Sequence, residues 1–493
     1  YKVKVFAYFF ANLNFLKIHI YIQITYSSIY KHINYKCFVE GEFVEFVVKI
    51  NHAINSVVWG PVALVALLLI GIFFSFRLGF LQITKFKLWW KETIGSLFSN
   101  ENKSAEKGKI TPFRAMATAL AGAIGTGNIV GVASAISLGG AGAIFWMWIS
   151  SIFGMATIFA ENVLGVKYRE TRNSKYVGGP MYYIKNGLHC KWLAAIFAIA
   201  CTLASLGMGN MTQSNAVAGA LEVGFDVSPV VTGAFLTALV GVVIFGGIER
   251  ISSFTAKIVP FMAILYTLGA LIVVFINIKK IPEAFGEIFS SAFDISSMAG
   301  GFMGYGMSRA LKYGISRGVF SNEAGLGSSP IVHAAADTDN PCKQGMWGIF
   351  QVFVDTIVLC TLMALCIICT GSHKTNLDAV AVSSYCFESV FGTFGKYFMS
   401  LSITLFGVAT LVSWSYFGER SVEYLTNGRF ISSYRIAYTL ITFVGCILNL
   451  NLVWEISDTF NGLMAIPNMI AIVLLSGVVK KEYDKYKLNY NSI

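Results

Sequence analysis

The chain has 493 residues, of which 55% are hydrophobic and only 13% charged, with a mean hydropathy of +0.65. Soluble domains carry about a quarter charged residues, so this composition excludes an ordinary soluble protein and indicates a polytopic membrane domain. The formal net charge of +11 does not mark a nucleic-acid binder, because the Lys and Arg residues are scattered through loops between apolar runs, as in a positive-inside distribution.

The first fifty residues are rich in Tyr, Phe, Ile, Asn and Lys, show no helical period, and precede Met116, the first methionine of the chain. Translated AT-rich upstream DNA has this composition, and Glu40-Gly41-Glu42 is compatible with a purine-rich ribosome-binding sequence before a start near Val44 or Val47. Residues 1–50 are therefore read as a non-native or disordered extension rather than a signal peptide. Residues 51–110 are expected to form one extra N-terminal transmembrane helix and a basic cytoplasmic linker, 111–480 an inverted-repeat core, and 481–493 a cytoplasmic tail.

Apolar segments of spanning length fall at about 55–76, 112–137, 142–166, 192–221, 228–247, 254–277, 311–336, 345–370, 393–417, 434–450 and 455–479, which predicts an all-α fold of about 11 transmembrane helices. The stretches 77–114 and 167–191 are basic and belong in the cytoplasm; 138–141 and 222–228 carry no basic residue and belong outside. The alternation puts the N-terminus outside and the C-terminus in the cytoplasm of a bacterial or archaeal inner membrane. Three pieces, 178–188, 281–293 and 298–311, are too short to span and are expected at the interface, packed on the bundle.

Within 118–148 the sequence TALAGAIGTGNIVGVASAISLGGAGAIFWMW places seven glycines and Asn128 in an otherwise apolar run. A nucleotide-binding glycine loop needs a preceding strand and a following acid, whereas here Thr111-Pro112 starts a helix and the next acid is Glu161. Small residues at i, i+4 spacing serve close helix packing, but packing asks for no amide and leaves Thr126 and Asn128 unexplained. Unwinding near Gly125–Asn128 explains both, because freed backbone groups in a dry environment must line a site. A second stretch, GISRGVFSNEAGLGSSP (314–330), repeats the pattern. The two breaks fall in the first and sixth helices counted from residue 112, the spacing of a five-plus-five inverted repeat.

The cysteine pair Cys366 and Cys369 lies in an apolar segment without a second pair and reads as buried thiols. No H-E-x-x-H, G-x-S-x-G or ligand cluster points to an enzyme. Two unlike broken helices also fit a channel poorly, since a filter repeats one element. A non-transporting amino acid receptor and a proton-coupled carrier stay open as alternatives.

The segments TPFRAMATALAGAIGTGNIVGVASAISLGGAGAIFWMW, YVGGPMYYI and RGVFSNEAGLGSSPIVHAAA resemble the signatures of the alanine or glycine:cation symporter family, the sodium:alanine symporters. The resemblance runs from about 53 to 480; the extension at 1–45 has no counterpart in it. It implies the leucine-transporter-like fold of the amino acid–polyamine–organocation superfamily, and Na⁺-driven uptake of small neutral amino acids, chiefly alanine and glycine. The substrate carboxylate is then expected at Thr126, Gly127 and Asn128, with Gln213 as a polar neighbour and Phe320 and Trp414 as candidate walls. The resemblance implies that Na⁺, the coupling ion, meets the carbonyls of Ala121 and Ile124 and the hydroxyls of Thr410 and Ser413. A hydroxyl bonded to its own helix is the alternative for the last two. A second cation site at Asn128, with Ser321 or Asp355 as partners, is weaker. Glu161, Glu323 and Asp355 are costly in apolar spans. Structural roles are expected for Glu161 and Glu323, with Arg317 or Lys312 neutralising Glu323 and Glu161 reaching towards the cytoplasmic interface. His333 is expected to be packed.

Overall fold

The structure is a computed structural model that describes residues 42–98, 105–106, 108–293, 305–375, 377–448 and 451–491. The chain divides into two units, Tyr1–Ile54 and Asn55–Ile493. In the first unit the description starts with helix α1 (Glu42–Val58), so the reading of residues 1–41 lies outside the described residues, while 42–50 are helical. The core and the candidate site belong to Asn55–Ile493.

Helix α2 (Pro61–Arg77) opens with proline at its first turn, where the missing N–H costs nothing. The linker expected after it is ordered as α3 (Leu81–Thr84) and α4 (Phe86–Glu92). Helix α5 (Pro112–Ala123) starts where the Thr111 hydroxyl accepts the Arg114 N–H at 3.3 Å. The segment 112–137 is broken where unwinding is expected: α5 stops, and α6 (Val130–Gly139) begins after a single tight turn at Thr126–Asn128. Helix α7 (Ala143–Lys167) leads to a short antiparallel hairpin of β1 (Glu170–Arg172) and β2 (Lys175–Val177), which the apolar pattern gives no hint of. The Gly178-Gly179-Pro180 break then starts α8 (Pro180–Gly187), whose Met181, Tyr182, Tyr183 and Ile184 are fully buried.

Helices α9 (Lys191–Leu206) and α10 (Thr212–Phe225) are joined through a π turn at Gly207–Met211. Next come α11 (Pro229–Ile244), α12 (Gly247–Ile276) and the amphipathic α13 (Ile281–Ala292). The expected piece 298–311 lies partly outside the described residues; its described end opens α14 (Tyr305–Asn322). That helix also stops in mid-segment, and α15 (Ser329–His333) resumes beyond Ser328. A second π turn, Phe353–Cys360, lies between α16 (Pro341–Val352) and α17 (Thr361–Thr370). The chain closes with α18 (Ala379–Phe391), α19 (Thr393–Thr426), α20 (Ile431–Ile447), α21 (Asn451–Leu474) and α22 (Ser476–Asn491). Helix α18 was not foreseen from the apolar runs.

Among the described residues, seven helical stretches are long and apolar enough to cross a membrane by length and composition. They differ in how much lipid they meet. In α19 the most apolar window is 83% buried, against 39% in α12, whose Phe261, Ile264, Leu268 and Phe275 form an exposed apolar stripe. Helix α19 is thus the central post and α12 a lipid-facing staff. Helix α5 packs on α12 and α19, α6 on α14, and α7 on α2, α14 and α16. The two broken helices are therefore enclosed between α7 and α16 on one side and α10 and α19 on the other. Freed backbone at membrane depth is tolerable in that enclosure and nowhere on the lipid face.

Candidate functional site

At the first break Ile124 leaves the helix (φ −71°, ψ 91°) and Gly125 is extended. The glycine is required by proximity: a Cβ there would sit 2.8 Å from Thr410 Oγ1 and 3.3 Å from Gln213 Oε1. The freed N–H groups are then collected by side chains. Asn128 Oδ1 accepts the Gly125 N–H at 3.1 Å. Gln213 Oε1 accepts from the Thr126 N–H at 3.4 Å and from its hydroxyl at 3.3 Å. The Gln213 amide donates to the Met208 carbonyl at 3.3 Å, inside the first π turn. Gln213 thus holds the unwound turn in place.

Helix α19 meets the same break from the other side. Thr410 Oγ1 stands 3.1 Å from the Ala121 carbonyl, 3.2 Å from that of Ile124 and 3.0 Å from that of Phe406. One hydroxyl proton serves one acceptor at a time, so oxygens converge here in excess of donors. Ser413, expected to share this set, lies a turn away and donates to the Thr118 carbonyl at 2.5 Å. Trp414 is fully buried and links the two broken helices, its indole N–H standing 3.3 Å from the Gly122 carbonyl and 3.1 Å from Glu323 Oε1.

The third wall comes from α14 and the second π turn. Asn128 Nδ2 donates to Asp355 Oδ1 at 2.7 Å and to the Asp355 carbonyl at 3.2 Å. Asp355 Oδ2 accepts from Ser321 Oγ at 2.9 Å and from Thr356 Oγ1 at 2.7 Å. Asn322 donates to Ser151 and Thr356 at 3.1 and 3.2 Å. Asn128, Ser321 and Asp355, whose association the sequence left undecided, therefore form one hydrogen-bonded knot. The π turns are the local device the sequence did not signal, a frequent accompaniment of functional sites.

A cavity of about 260 Å³ opens on this break, lined by Thr126, Gly127, Val130, Gly131, Ser134, Arg317, Phe320, Glu455 and Asp458. The Phe320 ring covers Gly127, whose notional Cβ would be 3.4 Å from Phe320 Cδ1. Trp414 and Gln213 do not line it. Sequence reasoning missed Glu455 and Asp458 on α21, which lie in a segment otherwise read as a plain span. Arg317 does not neutralise Glu323 as expected. It faces the cavity, with its guanidinium carbon 5.7 Å from the Phe320 ring centroid.

The second break contains residues in the left-handed region: Glu323 at φ +58°, Gly325 at +93° and Gly327 at +85°. For glutamate this conformation is strained, and the surroundings impose it. Its carboxylate accepts from Ser328 and Trp414. Glu161, on α7, accepts the Gly325 N–H at 3.3 Å and an N–H of Asn468, whose amide also donates to the Gly325 carbonyl at 2.9 Å. Tyr183 donates to the side-chain amide oxygen of Asn468. Glu161 is fully buried rather than interfacial, and its partner could have been suspected from Pro467-Asn468, an amide beside a proline within a helix. His333 is buried between Gln344 at 2.6 Å and Gln351 at 3.4 Å, a packed histidine.

Two helices broken in mid-span, enclosed by continuous ones, with a cavity at one break, define a membrane transporter core of the leucine-transporter-like fold. The solved structure of MhsT in complex with L-phenylalanine has the same fold, at a TM-score of 0.55 and 14% identity, covering 77% of this chain and 93% of that one. The chain belongs to the sodium:alanine symporter family, whose model matches residues 44–492. It is 45% identical over 448 residues to the sodium/alanine symporter AgcS of Methanococcus maripaludis, covering 89% of this chain and 97% of that protein. It is 39% identical over 438 residues to the probable sodium/glutamine symporter GlnT of Bacillus subtilis, covering 88% and 90%. It is a multi-pass membrane transporter, not an enzyme.

Proposed function

We propose that this chain is a secondary active symporter that couples uptake of a small neutral amino acid, alanine or glycine, to Na⁺. The observation that carries the reading is the convergence of the Ala121 and Ile124 carbonyls with Thr410 Oγ1 at a helix break that opens on a cavity. These are neutral hard oxygens, the donor chemistry that suits Na⁺, and they outnumber the protons available to them. Ser413 stands next in line at the Thr118 carbonyl. When bound there, Na⁺ supplies a positive charge beside the break and ties α5 to α19.

The chain's own residues do the rest. In the turn the Thr126 N–H is held by Gln213 and that of Asn128 by the Gly125 carbonyl, so the Gly127 N–H is the one offered to the substrate carboxylate, and α6, running away from it, adds the positive end of its dipole. Phe320 over Gly127 limits the side chain to a small one. Gln213, Trp414 and the Asn128–Asp355–Ser321 knot brace the turn from behind. Because ion and substrate favour the same ordered bend, each raises the affinity for the other. Alternating access follows if the bundle of broken helices rocks against α10 and α19. The distribution of basic loops supports an outward-facing cavity and a cytoplasmic C-terminus. The names of the sodium/alanine and sodium/glutamine relatives support an amino acid as the cargo.

The test is uptake of [¹⁴C]alanine into proteoliposomes under an inward Na⁺ gradient, against choline and an inward proton gradient. Uphill accumulation with Na⁺ alone is expected. Accumulation driven by protons alone would overturn the ion assignment and turn attention to Glu161, Glu323 and Asp355. Saturable binding without accumulation in any gradient would make the protein a receptor.

A further inference from the structure

A second cavity, about 520 Å³, lies between the α3–α4 segment and the terminal helix α22, away from both breaks. Lys85, Lys87, Lys91 and Lys487 line it together with Ile83, Thr84, Phe86, Leu88 and Tyr486, and no carboxylate is among the lining residues. The acids of α22 are engaged elsewhere: Glu482 pairs with Lys167 and Asp484 with Lys480, each at 2.7 Å. Lys85, Lys87 and Lys487 are exposed. Lysines gathered around one groove repel each other, and no carboxylate lines it to offset that repulsion, although Lys487 Nζ lies 5.7 Å from the Tyr483 ring centroid.

The segment that lines the groove is anchored by its neighbouring aromatic residues. Trp89 is 1% exposed and donates its indole N–H to the Gln82 carbonyl at 3.1 Å. Its ring lies 5.7 Å from that of Phe353, while Phe86 stacks on Trp90 at 5.5 Å. Beside the lysines, Ile83, Phe86 and Leu488 are 59%, 45% and 73% exposed. Aromatic rings at the end of a span mark the head-group level of a bilayer, and exposed apolar residues next to them face its acyl chains. The ligand that matches both halves carries a negative head and an apolar tail.

We propose that this groove binds one anionic phospholipid, its phosphate held by Lys85, Lys87 and Lys487 and its chains laid against Ile83, Phe86 and Leu488. Ammonium groups donate to phosphate oxygens with charge assistance. Each lysine at such a surface strengthens binding about fivefold. The assignment is independent of the transported substrate, since no residue of the groove lines the cavity at the first break.

Native mass spectrometry of the detergent-purified full chain tests it, with titration by phosphatidylglycerol, phosphatidylcholine and inorganic phosphate. Expected is one phosphatidylglycerol held at least tenfold more tightly than phosphatidylcholine, with that preference lost in the K85Q/K87Q/K487Q variant. The K85R/K87R/K487R variant should keep it, as should K257Q/K279Q/K280Q, which removes three exposed lysines elsewhere. Equal retention of the two lipids by the native protein, or an unchanged preference in the triple glutamine variant, overturns the proposal. Displacement of the lipid by millimolar inorganic phosphate would show a site for the free anion and overturn the lipid assignment. If the glutamine variant does not fold, loss of the native protein's preference in 0.5 M salt is the expected result, and its persistence overturns the proposal.

Discussion

At the first break the unwound backbone is held by uncharged groups, the Gln213 and Asn128 side chains and the Thr410 hydroxyl, and the turn opens on a cavity. At the second, the backbone is held by two buried carboxylates, Glu161 and Glu323, and none of its residues lines that cavity. Both rest on glycine, but they use it differently. Gly125, in extended backbone, is there because α19 and α10 come too close for a Cβ; Gly325 and Gly327 are crowded too, by Leu67 and Pro180, but there the chain also turns through positive φ. At the Thr410 corner the converging oxygens are neutral, while the carboxylate that reaches the turn, Asp355, is engaged by Asn128, Ser321 and Thr356. A carboxylate pair would compete with a bound amino acid, and its resident bonds seal the loop instead. On the proposed function, we read the first break as the ligand site and the second as a hinge.

The largest effect should come from filling the first break. A methyl at Gly127 would meet Phe320 at ordinary contact distance, 3.4 Å, so Gly127→Ala should retain measurable uptake. Gly127→Leu, reaching into the cavity or the Phe320 ring, should cut it by about 100-fold or more while the protein still inserts. Uptake by the two variants in proteoliposomes, normalised to reconstituted protein, decides this; near-normal transport by Gly127→Leu would reduce the glycines to packing.

Next in size is the ion. Thr410→Val removes the hydroxyl that bridges two carbonyls, and the Na⁺ concentration for half-maximal uptake should rise about tenfold, about 1.4 kcal/mol. Ser413→Ala, a turn away at the Thr118 carbonyl, should raise it only about two- to threefold. Equal effects would mean that the two hydroxyls act as one ligand set, as the sequence resemblance implied, and that the spacing between them closes when the ion binds.

The hinge reading predicts a different signature. Glu161→Gln keeps an acceptor for the Gly325 N–H but removes the charge, and should lower the maximal uptake rate several-fold with KM for alanine within about twofold. Glu161→Ala, which strands the Gly325 and Asn468 donors in a dry interior, should instead reduce the yield of folded protein. If Glu161→Gln abolishes the dependence on Na⁺, the contrast between the breaks collapses, because the second would then share the work of the first.

The breaks were legible in the sequence because each violates membrane-helix logic: glycine plus an uncompensated polar residue in an apolar run signals backbone that must find partners. Gln213 stood out for the same reason. What escaped were features that leave no such trace. The π turn at Phe353–Cys360 has ordinary helical composition, and the glycines and Asn210 of the one at Gly207–Met211 do not distinguish a π turn from a site of close helix packing. Trp414 was read as a pocket wall because aromatics bound cavities; its indole N–H instead found the Gly122 carbonyl and Glu323, partners set by the crossing of α19 with both broken helices. Glu455 and Asp458 were overlooked because only tertiary structure turns that end of α21 towards Arg317 and Phe320.

The smallest effect tests how far the hinge is buttressed from outside the spans. The hairpin between α7, which carries Glu161, and α8, which carries Tyr183, is clamped by Glu170. Its carboxylate accepts from Lys185 at 2.8 Å, Asn186 at 3.1 Å and Arg172 at 3.0 Å. Partial burial pushes the Glu170 carboxyl up, but the hydrogen bonds of Lys185, Asn186 and Arg172 outweigh it and bring it down to about 2. A carboxyl depressed in the folded state adds stability that is full above its unfolded value near 4.5 and lost as pH falls through about 2. The cluster is largely solvated, so the contribution is small. Glu170→Gln should lower the unfolding midpoint in detergent by about 1–2 °C at pH 7. The two midpoints should converge between pH 4.5 and 2 as the native carboxylate takes up its proton. A gap that persists at the acid end would mean that the clamp works through shape rather than charge, and a maximal uptake rate lowered by the same substitution would tie the hairpin to the motion at the second break.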